Sequence, residues 1–320
     1  MRFGVLGPVV AYGIGGAVEL GPTRQRTVLA TLLVEPGIAA TPEQLIDRVW
    51  GERPPQRSRQ TLHTYLSRLR TALEAADGPA LARRGRGYLL DADPETVDLH
   101  QFRTLVAEAR SADDAVAAGL WREALDLWRG TPFDDVDSDW LDAIAVGLER
   151  ERWAAVLDRN DLLLRTGDHA TVLAGLTAAS NDHPLDERLA GQHLLALYAA
   201  GRQADALAHY RGLRQRLVDD IGSEPGPVLR ELHQRILNHD PQLIRGEPEK
   251  SREPTPVASA VVPAVVPAQL PADVAGFTGR ADELDRLDTF LSPEGGVPEQ
   301  AMKIAVIGGT AGVGKPITGI

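Results

Sequence analysis

The sequence predicts a small α+β module followed by an all-α module, and three observations carry that prediction. Residues 3–18 (FGVLGPVVAYGIGGAV) hold no charge and five glycines, the pattern of short strands joined by tight turns. Residues 23–76 hold three segments of helical period, and Leu81–Leu90 folds back around Gly85-Arg86-Gly87 as a hairpin would. From Val97 to about His239 the helical period runs throughout, punctuated by glycines with similar neighbours.

In chain order, the expected strands are Phe3–Leu6, Val9–Tyr12 and Val18–Leu20, with Gly13-Ile14-Gly15-Gly16 as the turn. Pro22 opens the first helix, because its locked φ suits a helix start where the missing N–H is not needed. Thr27–Val34 is apolar on one side and stops before Pro36-Gly37. Thr41-Pro42-Glu43-Gln44 starts a second helix: the Thr hydroxyl can accept the N–H three residues on while the Gln amide reaches back. Leu45, Ile46, Val49 and Trp50 give that helix its apolar side, and Gly51-Glu52-Arg53-Pro54-Pro55 ends it. A third helix runs from about Ser58 to Ala76, with Leu62, Leu66, Leu69 and Leu73 at i, i+4, i+7 and i+11 as one stripe. A sheet, three helices and a C-terminal hairpin are the parts of a winged helix, bounded here at residues 1–93.

The helical block, residues 97–240, carries an imperfect repeat. Gly119 is followed at +5, +6 and +9 by Ala124, Leu125 and Trp128; Gly167 by Val172, Leu173 and Leu176; Gly201 by Ala206, Leu207 and Tyr210. The last two glycines lie 34 residues apart, the period of a tetratricopeptide repeat. Each glycine is expected in the turn between paired helices, the small residue at +5 allowing close approach and the larger ones filling the gap behind it. Thr131–Asp139 is expected as a long connection. Residues 246–275 hold six prolines amid Ala, Val and Glu and read as a semi-extended linker. Residues 276–320 follow, with Ile304-Ala305-Val306-Ile307 as a buried strand before a glycine-rich loop.

With 320 residues there is room for two domains and a fragment, and the net charge of −11 hides an asymmetry. Residues 1–97 hold 12 Arg/Lys against 10 Asp/Glu, and residues 57–86 hold seven arginines against Glu74 and Asp77. A basic patch on a near-neutral module can neutralise several phosphates, with binding that weakens steeply in salt. The chain has no cysteine, which excludes disulfides, zinc–thiolate sites and thiol catalysis and fits a reducing cytoplasm. The apolar start is too short and too rich in glycine for a signal peptide or a membrane span, so no membrane partner is expected.

On the third helix, Arg59, His63, Thr64, Ser67 and Arg68 oppose the leucines, with Arg70 at the flank. Arg can grip guanine with two bonds, and Ser, Thr and His can meet phosphates or base edges. Together with Arg57 and the hairpin's Arg83, Arg84 and Arg86, this outweighs the reading of a merely solvated face and points to double-stranded DNA. Tyr88 reads as packing under the wing. Gly309-Thr310-Ala311-Gly312-Val313-Gly314-Lys315 fits a phosphate-cradling loop after a strand. Pro316 stands where a Ser or Thr would hold magnesium and lacks the N–H a phosphate would use, and only four residues follow it. Gly309, Gly314 and Lys315 are therefore expected to be a degenerate nucleotide-binding remnant rather than a working NTPase. The histidines show no metal-binding spacing and no Ser/His/Asp arrangement is present, so neither a cofactor nor enzymatic activity is expected. The chain begins directly on the sheet, so no phospho-acceptor receiver domain is expected ahead of it.

The segments FGVLGPV, LIDRVWGERPP, TLHTYLSRLRTAL, RGRGYLLD, VDLHQF and VDDIGSEPGPVLRELHQRIL, in that order, resemble the Streptomyces antibiotic regulatory protein family from Phe3 to about Leu237. GFTGRADELDRL and GGTAGVGK resemble the start of the nucleotide-binding domain in its larger members. The resemblance implies an OmpR-type winged helix, a bacterial transcriptional activation domain of tetratricopeptide-like helices, and an incomplete P-loop stub. It further implies an activator of secondary-metabolite (antibiotic) genes that works in the cytoplasm, at the nucleoid. That activator would bind tandem direct repeats near the −35 element as a dimer and recruit RNA polymerase holoenzyme. Carried onto this chain, His63, Thr64, Ser67 and Arg68 read bases, Arg57 and Arg70 touch phosphates, and Arg86 enters the minor groove. The Gly51–Arg57 loop meets polymerase, with Arg53 the residue to test. Ser67 is shorter than the arginine often found there, which leaves the base preference open. Two other readings stay open at this point: an ATP-regulated signalling NTPase of which this chain is the N-terminal part, and an interaction scaffold that uses only its helical repeats.

Overall fold

The protein's structure is a computed structural model in which residues 1–245 are described, with side chains through Leu243. The proline-rich stretch 246–275 and the loop bearing Gly309, Gly314 and Lys315 lie outside the described residues. Strands β1 (Arg2–Gly4), β2 (Val10–Gly13) and β3 (Gly16–Ala17) form an antiparallel sheet in that order, with Phe3 opposite Ala11 and Tyr12 opposite Ala17. All three strands differ from the sequence expectation: the second is shifted by one residue, and none of the expected third strand, Val18–Leu20, lies in β3. The first strand stops at Gly4 because the Val5 and Leu6 N–H groups bond the Asp98 carboxylate instead of a ladder partner. The third begins at Gly16, since Gly13 pairs with Gly16 and leaves only Ile14-Gly15 as the turn.

Helices α1 (Thr23–Val34), α2 (Pro42–Trp50) and α3 (Ser58–Ala75) follow, then the hairpin β4 (Leu81–Arg84) and β5 (Gly87–Leu90). The α2 start is a full capping box: the Thr41 hydroxyl accepts Gln44 N–H at 3.2 Å, and the Gln44 side-chain Oε1 accepts Thr41 N–H at 2.9 Å. All four leucines of the α3 stripe are buried, against Leu29, Leu33 and Leu45 among others. The hairpin is held to the body by Ala40, whose N–H and C=O exchange bonds with Tyr88 at 2.9 and 2.8 Å. Gly87 permits this approach, since a Cβ there would lie 2.8 Å from the Ala40 carbonyl oxygen.

The helical domain comprises α4 (Asp98–Ser111), α5 (Asp114–Asp126), α6 (Asp139–Arg165), α7 (His169–Asp182), α8 (Glu187–Ala199), α9 (Gln203–Arg216), α10 (Pro227–Leu237) and a short α11 (Gln242–Arg245). Successive helices from α4 to α9 pack against one another. Gly167 and Gly201 sit in the α6–α7 and α8–α9 turns at φ of 87° and 73°, each followed by an N–H that reaches back five residues (Asp168 to Leu163, Arg202 to Leu197, both 2.8 Å). This is the glycine-dependent helix ending that a left-handed residue makes possible. Gly119 departs from the expectation: it lies inside α5, and the α4–α5 turn is made at Ala112-Asp113, where the Asp113 carboxylate accepts Val116 N–H. The small residues at +5 do lie at close contacts, with Ala124 and Ala206 both 0% exposed.

One apolar core runs without a break from Phe3, Leu33, Leu66 and Leu90 to Phe102, Trp121, Leu141 and Leu162. The winged helix and the first helices of the next domain therefore share their interior. Smaller clusters serve the later helices, and a buried polar link ties α6 to α8, with Gln192 donating to Leu157 O at 2.8 Å and Asp161 Oδ1 at 2.6 Å.

Leu66→Ala opens a cavity under α3 and should cost about 2–5 kcal/mol, read as a lowered denaturation midpoint. A second expectation concerns pH. Burial, then His209 and Arg202, depress His193 from 6.5 to about 4, and its Nδ1 pairs with the Ser180 hydroxyl at 3.0 Å. Burial, then Arg216, also depresses its neighbour His209, whose ring lies tilted against it. Between the unfolded value of 6.5 and the folded value of about 4 the unfolded chain binds more protons, so this contribution to stability is complete above that window and is lost as pH falls through it. Urea midpoints should drop on acidification across the window, and His193→Gln should flatten the dependence.

Candidate nucleic-acid interface

The geometry of α3 decides which side chains can reach a ligand. Its leucine stripe occupies positions 62, 66, 69 and 73. Positions two residues earlier lie about 200° away around a helix, so Gln60, Thr64, Ser67 and Thr71 form the outward centre line, and all four are exposed. Arg68 and Arg57 flank that line on one side and His63 on the other. Gln60 and Thr71 were not among the residues expected from the sequence. The signal that would have found them is the same i, i+4, i+7, i+11 spacing that marks the leucines. Gln is the residue type that can grip an adenine edge with two bonds.

Two expected residues are occupied elsewhere. Arg70 donates from Nε and Nη2 to the Leu81 carbonyl at 3.1 and 3.0 Å, so its guanidinium straps α3 to the first hairpin strand rather than standing free for a phosphate. Arg59 forms an ion pair with Glu43 of α2. His63 is exposed, yet its Nδ1 meets the Tyr88 hydroxyl at 3.1 Å with the rings edge to face, so Tyr88 both packs beneath the hairpin and anchors it to α3. The Arg70 and His63 links together hold the hairpin beside the outward face of α3.

At the hairpin tip, Arg84 pairs with Gly87 and the turn is Gly85-Arg86, with Gly85 at φ 61° where a side chain would be strained. Arg83, Arg84 and Arg86 are exposed. Among the described residues Arg57, Arg68, Arg83, Arg84 and Arg86 make no ion pair, whereas Arg24, Arg26, Arg48 and Arg59 are all neutralised by carboxylates. Five arginines without an ion pair thus gather on α3, its start and the hairpin.

The loop between α2 and α3 is exposed from Glu52 to Arg57. It leaves α2 through Gly51 at φ 54°, whose N–H bonds Asp47 O at 2.7 Å, and the stacked Trp50 and Tyr65 rings close its base. Arg53 projects from it without an ion pair among the described residues. No group of three metal-ligating side chains occurs among the described residues, and no described helix is long and apolar enough to cross a membrane.

A family profile described as the bacterial transcriptional activator domain matches residues 97–237, and one described as the C-terminal part of transcriptional regulatory proteins matches residues 15–90. Regulatory protein DnrI of Streptomyces peucetius is 35% identical over 262 residues, covering 78% of this chain and 96% of that protein. The chain belongs to the Streptomyces antibiotic regulatory protein family. Regulatory protein AfsR of Streptomyces coelicolor is 40% identical over 98% of this chain, which spans 31% of the length of AfsR. A solved structure of Mycobacterium tuberculosis EmbR in complex with a low affinity phosphopeptide superimposes with a TM-score of 0.69 at 34% identity, covering 75% of this chain and 65% of that one. A winged helix followed by a helical activator domain is therefore the architecture of this family member.

Because Arg70 holds the hairpin, Arg70→Ala should destabilise the domain by about 1–2 kcal/mol through a lost charge-assisted bond. Amide exchange at Tyr88 and Leu89 should accelerate, whereas a plain phosphate contact would leave exchange in the free protein unchanged.

Proposed function

We propose that the chain is a sequence-specific DNA-binding activator of secondary-metabolite genes. In this reading α3 lies in a major groove while the Gly85-Arg86 turn reaches the adjacent minor groove. The observation that carries it is the set of five arginines without ion pairs on α3 and the hairpin, set beside an outward line of Gln60, Thr64, Ser67 and Thr71. Phosphates neutralise the arginines and the polar line meets base edges, a division of labour general to major-groove readers. Arg57, Arg83 and Arg84 suit phosphates; Thr64, Ser67 and Arg68 suit bases, with His63 limited to an edge contact by its bond to Tyr88. Two copies on tandem direct repeats, with Arg53 and its loop turned to RNA polymerase holoenzyme, complete the proposal.

In footprinting and titration on the promoter of the neighbouring operon, Arg68→Ala should cost about 1–3 kcal/mol on the cognate site and relax preference at one base pair. Arg84→Ala should weaken cognate and scrambled duplexes alike and lower the salt slope by about 1. Arg53→Ala should leave DNA affinity unchanged and reduce transcript yield. Equal losses on both duplexes for Arg68 and Arg84 variants would sink the division of roles.

A further inference from the structure

The FGVLGPV segment and the Val97-Asp98 junction belong to the family-like sequence pattern, yet the DNA-facing surface uses neither. In the structure they meet. The Asp98 carboxylate, at the first turn of α4, accepts Val5 N–H at 2.8 and 3.0 Å and Leu6 N–H at 3.1 Å. The connection between α5 and α6 supplies the rest of that backbone's partners. Arg129 N–H donates to Leu6 O at 2.8 Å, and Phe133 N–H is shared between Val5 O at 3.0 Å and Gly7 O at 2.9 Å. Arg129 Nη1 donates to Pro8 O at 3.1 Å, and Val9 N–H donates to Asp135 Oδ1 at 2.7 Å. Arg129 Nη2 then closes the ring on Asp98 at 3.0 Å, where the carboxylate is 9% exposed.

The two glycines of the segment are the seat for Arg129. A Cβ on Gly4 would collide with the Arg129 guanidinium, and one on Gly7, at φ 149°, would lie 3.0 Å from the Arg129 Cβ. Phe133 holds a left-handed φ of 60°, a conformation an aromatic residue keeps only where its surroundings impose it. Burial pushes the Asp98 carboxyl up, and the Val5 and Leu6 amides and Arg129 oppose that push. A flexible tether between two independent domains would leave these amides and carbonyls to water and would have no use for a buried carboxylate.

We propose that Asp98 and Arg129 are positioning residues that fuse the winged helix and the helical domain into one rigid body, setting the angle at which the helical domain leaves the DNA. The proposal rests on the tandem-repeat reading above. Two copies that face the same way on direct repeats can meet reproducibly only if each holds its second domain at a fixed angle. The clasp then matters for cooperative binding to two repeats and not for gripping one.

The chain has no cysteine, so nitroxide labels can be placed cleanly at Glu74 on α3 and Ala178 on α7, both exposed. In the full chain the label–label distance should be narrow, and Asp98→Ala should broaden it. Affinity for a single-repeat duplex should be unchanged, while cooperativity on a two-repeat duplex should fall by about tenfold. Arg129→Gln, which keeps the Val5 and Leu6 bonds to Asp98, should show both effects more weakly and carries the test if Asp98→Ala fails to fold. A narrow distance in a folded variant, with cooperativity intact, would overturn the proposal. Loss of single-repeat binding by the unmutated chain would instead defeat the DNA reading, and the label distances would still decide the clasp.

Discussion

Burial of one leucine stripe organises the surface proposed to meet DNA. Leu62, Leu66, Leu69 and Leu73 are each at most 2% exposed, and an α-helix that hides one line of side chains must present the line on its far side to solvent. The polar line Gln60, Thr64, Ser67 and Thr71 faces outward for that reason alone. The same orientation brings Arg70 and His63 to the edge nearest the hairpin, where Leu81 O and the Tyr88 hydroxyl receive them. Hairpin and helix thus form one surface because the core beneath them is filled.

Charge is sorted by pairing rather than by count. The chain is acidic overall at −11, and among the described residues twelve arginines outside α3 and the hairpin meet carboxylates, as in the Arg110–Asp158–Arg188–Asp161 chain across α4, α6 and α8. Exposed pairs of that kind add little stability individually. Their larger effect is to cancel field, whereas the guanidiniums of Arg57, Arg68, Arg83, Arg84 and Arg86 keep their charge for a polyanion on approach.

The junction between the domains follows a different logic. A hydrogen-bonded segment, Val5–Val9, is inserted between α4 and the α5–α6 connection, and the apolar core continues across it. Ser138 donating to Arg48 O at 2.5 Å and Arg24 bridging Val49 O and Asp137 extend the seam to α2. Motion of the helical domain against the winged helix would have to break these bonds together, the physical basis of the proposed single rigid body.

Local pattern was enough for much of this molecule. The capping box at Thr41, the leucine stripe, the hairpin around Gly85-Arg86 and the glycine turns at 167 and 201 were all legible, because each depends on neighbours within a few residues. The repeat rule misplaced Gly119, since a glycine inside a helix leaves no local mark that separates it from one in a turn. At the interface, residue types and exposure could be read in advance, but the engagement of Arg70 by Leu81, Arg59 by Glu43 and His63 by Tyr88 could not. Those partners come from other elements, and only packing brings them within reach. Asp98 is the clearest case: in sequence it is one acid at a helix start, and only its 93-residue return to Val5 makes it the joint between two domains. Short-range spacing determined which elements form and which way they face. Long-range contact alone decided which charged groups are used up in holding the fold and which remain free to bind.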